Sequence, residues 1–358
     1  MCGEMEKIKG DCVMEKPIKN ISLNDEFLGV VKEAQEELLK KQHYKEWKEL
    51  YEKYANGIIK NLEKIKKIKA KFHQWKPLYL YMSIGESYKS GATFNLRYLG
   101  QAVADLKISS GKIYLKDDKT KATNYRDFGC NVQIGSENRE WRKAKAINFR
   151  KHFSTCPQRS KNSNKSNEEH RIESMLLTEF SKHRAKDKNK VFHYIKPVKI
   201  AKIARFQMPT PFSASKKSVK YVGGRGGGID IIARVGRGRG NGTKFCIMEV
   251  KDQYLKKEPP KSAIKQALVY ATFIRELLRC DNGDKWWEIL GREGRVPQKI
   301  VLCVACAMPF PDNNRITDKS FGGMQLNIGE DIFELHYVYF KEENNLIKEI
   351  ETSLWENK

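Results

Sequence analysis

Apolar residues along this chain follow two different periods. From about 25 to 75 they recur at helical spacing (Phe27, Val30, Val31, Ala34, Leu38 and Leu39, then Trp47, Leu50, Tyr51 and Tyr54) in a Lys- and Glu-rich background. This predicts a pair of long helices, broken or bent around Tyr54 to Gly57. The second helix is strongly basic, and its lysines form either a solvated face or a track for a phosphate backbone. Between Leu78 and Cys156 the runs become short: 79–82, 93–98, 102–106 and 112–115, separated by Gly, Ser and Asp. They predict strands, closed by a basic helix over 141–152. With basic and aromatic residues interleaved, this unit reads equally as a nucleic-acid module or a protein-binding one.

Residues 158–167 are polar with no apolar period and predict a linker. Beyond them the pattern predicts a helix (about 168–184), strands (about 191–208, 228–236 and 243–251), a helix (about 261–279) and a strand (about 298–308). A strand near 335–340 and a short terminal helix follow. The fold class is α/β. Four regions result: an N-terminal helical region (1–76), a small α+β accessory domain (77–157), the linker, and a C-terminal domain of order αβββαβ (168–358).

Candidate chemistry lies in the C-terminal strands. Gly228-Ile229-Asp230 puts a carboxylate near the start of one strand, and Glu249-Val250-Lys251 closes the next. Side chains alternate along a strand, so Glu249 and Lys251 share a face. Two converging carboxylates suit a hard divalent cation, and a nearby ammonium can orient water or stabilise charge building on phosphate. The plainer reading makes Asp230 a turn residue and Glu249/Lys251 a surface ion pair. In the following helix Gln266 and Tyr270 are four apart and stack on one face. The helix preceding the strands has Ile172, Met175, Leu176 and Phe180 on its apolar side, and its acids include Glu169 and Glu173.

Together, Ile229-Asp230 and Glu249-Val250-Lys251 resemble the PD-(D/E)xK nuclease superfamily. Gln266 and Tyr270 resemble the Q-x-x-x-Y element of its RecB-like branch. The proline of the family's name is absent, and a glycine run precedes Asp230 instead. The resemblance covers roughly the C-terminal half and implies a restriction-endonuclease-like core. It implies that Asp230 and Glu249 bind Mg²⁺ (or Mn²⁺) with the Val250 carbonyl, and that Lys251 positions water and stabilises the transition state. It also implies a helix carboxylate that binds metal or water. Glu173, abutting the apolar stripe, is the choice; Glu169, one turn earlier, is the competitor. Gln266 and Tyr270 would fix substrate or the lysine.

The net charge of +24 over 358 residues predicts a polyanionic partner. Nucleic acid is expected, DNA ahead of RNA because of the Q-x-x-x-Y element, with a restriction or phage-defence role by analogy. A catalytically inactive binding or assembly module is the alternative, and a homodimer or protein partner stays open. No apolar run reaches the length of a membrane span and no signal-peptide pattern opens the chain, so a cytoplasmic protein is expected. The eight cysteines require no disulfide framework. Cys303 and Cys306 have C-x-x-C spacing, yet sit in a strand-like run that faces them opposite ways, which is poor zinc geometry. The glycine- and arginine-rich stretches at 223–228 and 236–242 lead into a strand, unlike a Walker loop, and predict a flexible hairpin. Arg225, Arg237 and Arg239 are candidates for phosphate contact, the neighbouring glycines for close backbone approach to Asp230, and Lys216 and Lys217 for the substrate groove.

Overall fold

The N-terminal stripe folds as two helices in the computed structural model, which describes residues 22–68, 76–85, 92–116, 128–132, 139–156, 168–181, 194–215, 218–236, 242–252, 259–310, 318–344 and 346–354. The first part of the chain contributes α1 (Leu23–Leu39), α2 (Lys41–Ile68), β1 (Leu78–Ile84), β2 (Ala92–Tyr98), β3 (Gln101–Ser109), β4 (Lys112–Lys116), β5 (Arg139–Glu140) and α3 (Ala144–Thr155). Next come α4 (Glu168–Phe180), β6 (Ile195–Pro197), β7 (Lys199–Ile200), β8 (Ala204–Pro209), β9 (Phe212–Ser215), β10 (Ser218–Tyr221), β11 (Gly228–Ile229), β12 (Ile231–Val235) and β13 (Lys244–Val250). The chain closes with α5 (Pro260–Arg279), α6 (Gly283–Ile289), β14 (Val301–Pro309), β15 (Gln325–Ile328), β16 (Asp331–Glu343) and β17 (Leu346–Thr352).

Ser22 caps α1 by accepting from the Asp25 amide at 3.2 Å. The break between the first helices falls at Lys40, not around Tyr54 to Gly57. A glycine inside a helix costs about 1 kcal/mol. Burial of Tyr51, Tyr54, Ala55 and Ile58 along the same stripe offsets that cost, and α2 runs straight through Gly57.

The mixed α/β architecture rests on two large sheets. In the first, β1 to β5 form an antiparallel meander, and β8 joins the free side of β1 in parallel, with Tyr81 opposite Arg205. β11 and β7 extend it from β8. The second has the order β15-β16-β14-β13-β12-β6, with β17 on β16. Here β13, β14 and β16 run parallel, and β12 and β13 form an antiparallel hairpin. Helix α5 is the crossover from β13 to β14.

Alternation along β13 sorts its residues between two layers. Phe245 and Ile247 face the core that contains Ile264, Leu268 and Phe27, whereas Cys246, Met248 and Val250 face Ile172 and Leu176 of α4. Helices therefore cover both faces of the second sheet. That burial on two sides explains why β13 and β14 read as nearly continuous apolar runs.

Three elements depart from the pattern reading. The stretch expected as a strand over 191–208 is divided: the chain leaves the second sheet after β6, and a tight turn with Ala201 and Lys202 at positive φ then folds β8 back on β7 in the first. The terminal helix is instead β17, antiparallel to β16, in which Ile347 fills the α4-side core. Helix α6 was not foreseen; it buries Trp286 and Trp287. As for the domain division, α1 packs on α5 and β1 pairs with β8. One core runs from Phe27, Trp47 and Leu80 to Leu268 and Val304. The segments on either side of 158–167 therefore share a core and a sheet; residues 158–167 themselves lie outside the described ones.

Candidate metal centre

Asp230 stands where the two sheets fork. Immediately before it, Gly228 and Ile229 pair with β8 in the first sheet; immediately after it, β12 pairs with β13 in the second. Its Oδ2 accepts a hydrogen bond from the Val250 amide at 2.8 Å. Glu249 is the penultimate residue of β13, and Lys251, just past the end of the strand, lies on the same face, as alternation requires. The Lys251 ammonium donates to Glu249 Oε1 at 2.6 Å and to Glu169 Oε1 at 3.3 Å. Glu169 lies in the first turn of α4. Donor oxygens of Glu169, Asp230 and Glu249 all fall within 4.8 Å of one another.

The electrostatics follow from this crowding. Burial pushes the Asp230 carboxyl well above the usual aspartate range, and the charges of Glu249, Glu173 and Glu169 push it further; the Val250 hydrogen bond only partly opposes them. Tyr270 and Gln266 are buried on α5. Burial, then Glu249 and Asp230, raise the Tyr270 phenol and keep it a hydrogen-bond donor.

Glu173 is only 2 % exposed and lies 3.4 Å from His170 Nδ1. It contributes to the field at Asp230, but Glu169 is the helix carboxylate whose oxygen joins the cluster. His170 sits between the two acids, and the sequence reading assigned it nothing; its three-residue spacing to Glu173 is the signal it carries. The Glu173 carboxylate holds the His170 imidazole above its ordinary pKa.

Packing accounts for two of the glycines before Asp230. A Cβ on Gly226 would lie 1.8 Å from the Thr210 carbonyl oxygen, and one on Gly227 would lie 3.0 Å from the Tyr270 hydroxyl. At Gly228 the nearest atom would be 3.6 Å away, in the Gln207 side chain, so that position has room. Of the basic residues expected near substrate, Lys216, Lys217, Arg237 and Arg239 lie outside the described residues, and Arg225 is described only as the last residue of a 3-10 turn, Gly223–Arg225.

Cys303 and Cys306 face opposite layers of the second sheet. Among the described residues, no helix is long and apolar enough to cross a membrane. Comparison of the chain with protein-family models, curated proteins and solved structures gives no match.

Proposed function

We propose that this chain is a metal-dependent nuclease resembling the PD-(D/E)xK class, acting on DNA in preference to RNA. The observation that carries this reading is the meeting of Glu169, Asp230 and Glu249 within 4.8 Å, with Lys251 bonded to two of the three. The donor set consists of carboxylate oxygens, the ligands a hard divalent cation prefers. Burial, and after it the neighbouring carboxylates, raise Asp230, and a cation among the oxygens would offset both. Glu169, Asp230 and Glu249 would hold Mg²⁺ or Mn²⁺, with the Val250 carbonyl as a further oxygen.

When bound, the cation supplies Lewis-acid polarisation of the phosphodiester. Lys251 orients the water that attacks phosphorus, and its charge stabilises the negative charge that builds as the P–O bond to the leaving hydroxyl breaks. Tyr270, kept protonated, and Gln266 donate toward the phosphate or hold Lys251 in place. The order α4, β12–β13 hairpin, α5 and parallel β14 agrees with the restriction-endonuclease-like core that the resemblance implies. The charge of +24 favours a phosphate backbone as partner, and Arg225, Arg237, Arg239, Lys216 and Lys217 are the proposed contacts. A cytoplasmic role in restricting foreign DNA suits these properties by analogy.

Cleavage of circular and linear, single- and double-stranded DNA and of RNA, by wild type and Lys251→Ala with Mg²⁺, Mn²⁺ or chelator, tests the reading. Metal-dependent cutting that disappears in Lys251→Ala is the expected result. Cutting retained by Lys251→Ala would remove that residue from the chemistry. Salt-sensitive binding with no cutting of any substrate would make the chain a binding module instead.

A further inference from the structure

A second cluster of metal-ligating side chains lies away from the acidic one, on neighbouring strands. In the β14–β16 register Cys303 stands opposite Glu334, and Ala305 opposite His336. Leu302, Val304, Phe333 and Leu335 occupy the alternate positions and pack toward α5. Cys303, Glu334 and His336 therefore project to the other face of the sheet, the one Glu249 turns away from. Their donor atoms all lie within 4.8 Å of one another. Cys303 Sγ is 3.8 Å from Glu334 Oε2, which is 3.9 Å from His336 Nε2.

The imidazole is the informative group. His336 is 8 % exposed, and its Nε2 makes no hydrogen bond within 3.5 Å, the Glu334 Oε2 standing off at ion-pair distance, 3.9 Å. Nδ1 lies 3.2 Å from the Ser353 hydroxyl, which also accepts from the Tyr337 amide. A buried polar nitrogen left unpaired costs free energy. The Nδ1–Ser353 bond admits either tautomer; with Nδ1 as the donor, Nε2 presents a lone pair to a carboxylate and a sulfur, an arrangement that a cation between them would stabilise. Metal-ligating histidines are commonly fixed in this way, through a hydrogen bond from the other ring nitrogen.

We infer that Cys303, Glu334 and His336 form a zinc site, separate from the acidic cluster and independent of the nuclease reading. Thiolate and imidazole are ligands that zinc takes readily and magnesium does not, and three protein ligands leave a fourth position for water. Glu334 stays available although Lys244 bonds both its oxygens, at 2.7 and 2.6 Å, and Gln325 bonds Oε1 at 3.3 Å. A carboxylate offers about four lone-pair sites, so one on Oε2 remains to face Cys303 and His336. Binding takes the thiolate form and releases the Cys303 proton to solvent. The site links β14, β16 and, through Ser353, the segment that follows β17. The C-x-x-C spacing hid it, because Cys303 finds its partners across the sheet and not along its own strand.

The test uses the full chain, stripped with chelator and titrated with Zn²⁺ and, separately, with Co²⁺. Stoichiometric Zn²⁺ binding is expected, together with a near-ultraviolet thiolate-to-cobalt band with Co²⁺. The band should vanish in Cys303→Ser and in His336→Gln, and persist in Cys246→Ser and Asp230→Asn. Ser353→Ala should weaken Zn²⁺ binding about 10- to 100-fold. Should Cys303→Ser fail to fold, wild type and the less buried His336→Gln decide the matter. No band in wild type, or a band that survives His336→Gln or Cys303→Ser, would overturn the proposal and leave Glu334 as an ion-paired carboxylate only.

Discussion

The Val250 amide donates to Asp230 at 2.8 Å, tying the residue at the fork of the two sheets to the strand that carries Glu249 and leads into Lys251. One bond thus fixes the relative position of two carboxylates that repel each other. The cost of that repulsion is what a cation would remove.

Asp230→Asn should keep the Val250 bond, since the amide oxygen can still accept it, and should abolish the charge. Cleavage is expected to fall about a thousandfold or more. Stability should move the other way. A carboxyl whose folded pKa exceeds its ordinary value of 3.8 contributes stability below that value and loses it as pH rises through the folded pKa. Without metal, wild type should therefore lose more stability than Asp230→Asn between acid and neutral pH. Melting curves in chelator across that range measure the difference; parallel curves would contradict the part-buried, repelled carboxylate.

Glu169 and Glu173 separate by metal linkage. Mg²⁺ at a hundred times its dissociation constant should stabilise wild type by about 2.7 kcal/mol. Glu169→Gln should erase that shift, and Glu173→Gln should retain it, because Glu173 faces His170 while Glu169 joins the oxygen cluster. Thermal melts with and without Mg²⁺ decide which acid is the ligand. The reverse pattern would restore Glu173 to that role.

Gly226→Ala and Gly227→Ala should fail in different ways. A Cβ at 226 strikes the Thr210 backbone and should cost about 1–3 kcal/mol in stability. A Cβ at 227 would crowd the tip of Tyr270, which can move, and meet the Phe212 carbonyl at an ordinary 3.5 Å, so cleavage should drop with little change in melting temperature. Denaturant unfolding paired with a cleavage assay distinguishes the two.

Phe27→Ala should cost about 3–5 kcal/mol and lower a single unfolding transition of the whole chain. Phe27 is fully buried and packs edge-on against Phe321 from the opposite end of the sequence. Calorimetry showing two transitions, only one of them shifted, would mean that the N-terminal helices form an independent domain.

Local periodicity carried much of the fold. The alternation in β13 and the stripe of α5 are set by burial on defined faces, so both elements and the shared face of Glu249 and Lys251 were legible. Long-range relations were not. Nothing in residues 78–84 or 204–209 tells β1 to pair with β8, because such pairing depends on neighbours far along the chain. The terminal segment misled because a Lys/Glu-rich run with isoleucines suits an exposed helix as well as an edge strand like β17. At the candidate site, the sequence placed Glu169 and Glu173 on one helix, but choosing between them needs the angle at which α4 meets the fork.

The α1–α5 packing also has a consequence for how the protein is made. Glu26 of α1 ion-pairs with Lys265 of α5, 239 positions later. At roughly 5–20 residues per second, synthesis of α5 trails that of α1 by on the order of 10–50 s. Through that interval Phe27, Val31, Ala34 and Leu38 leave the ribosome without the surface they cover in the finished molecule. A nascent chain in this state is a substrate for chaperones that hold apolar helices, and translation products that stop short of residue 260 keep the stripe exposed.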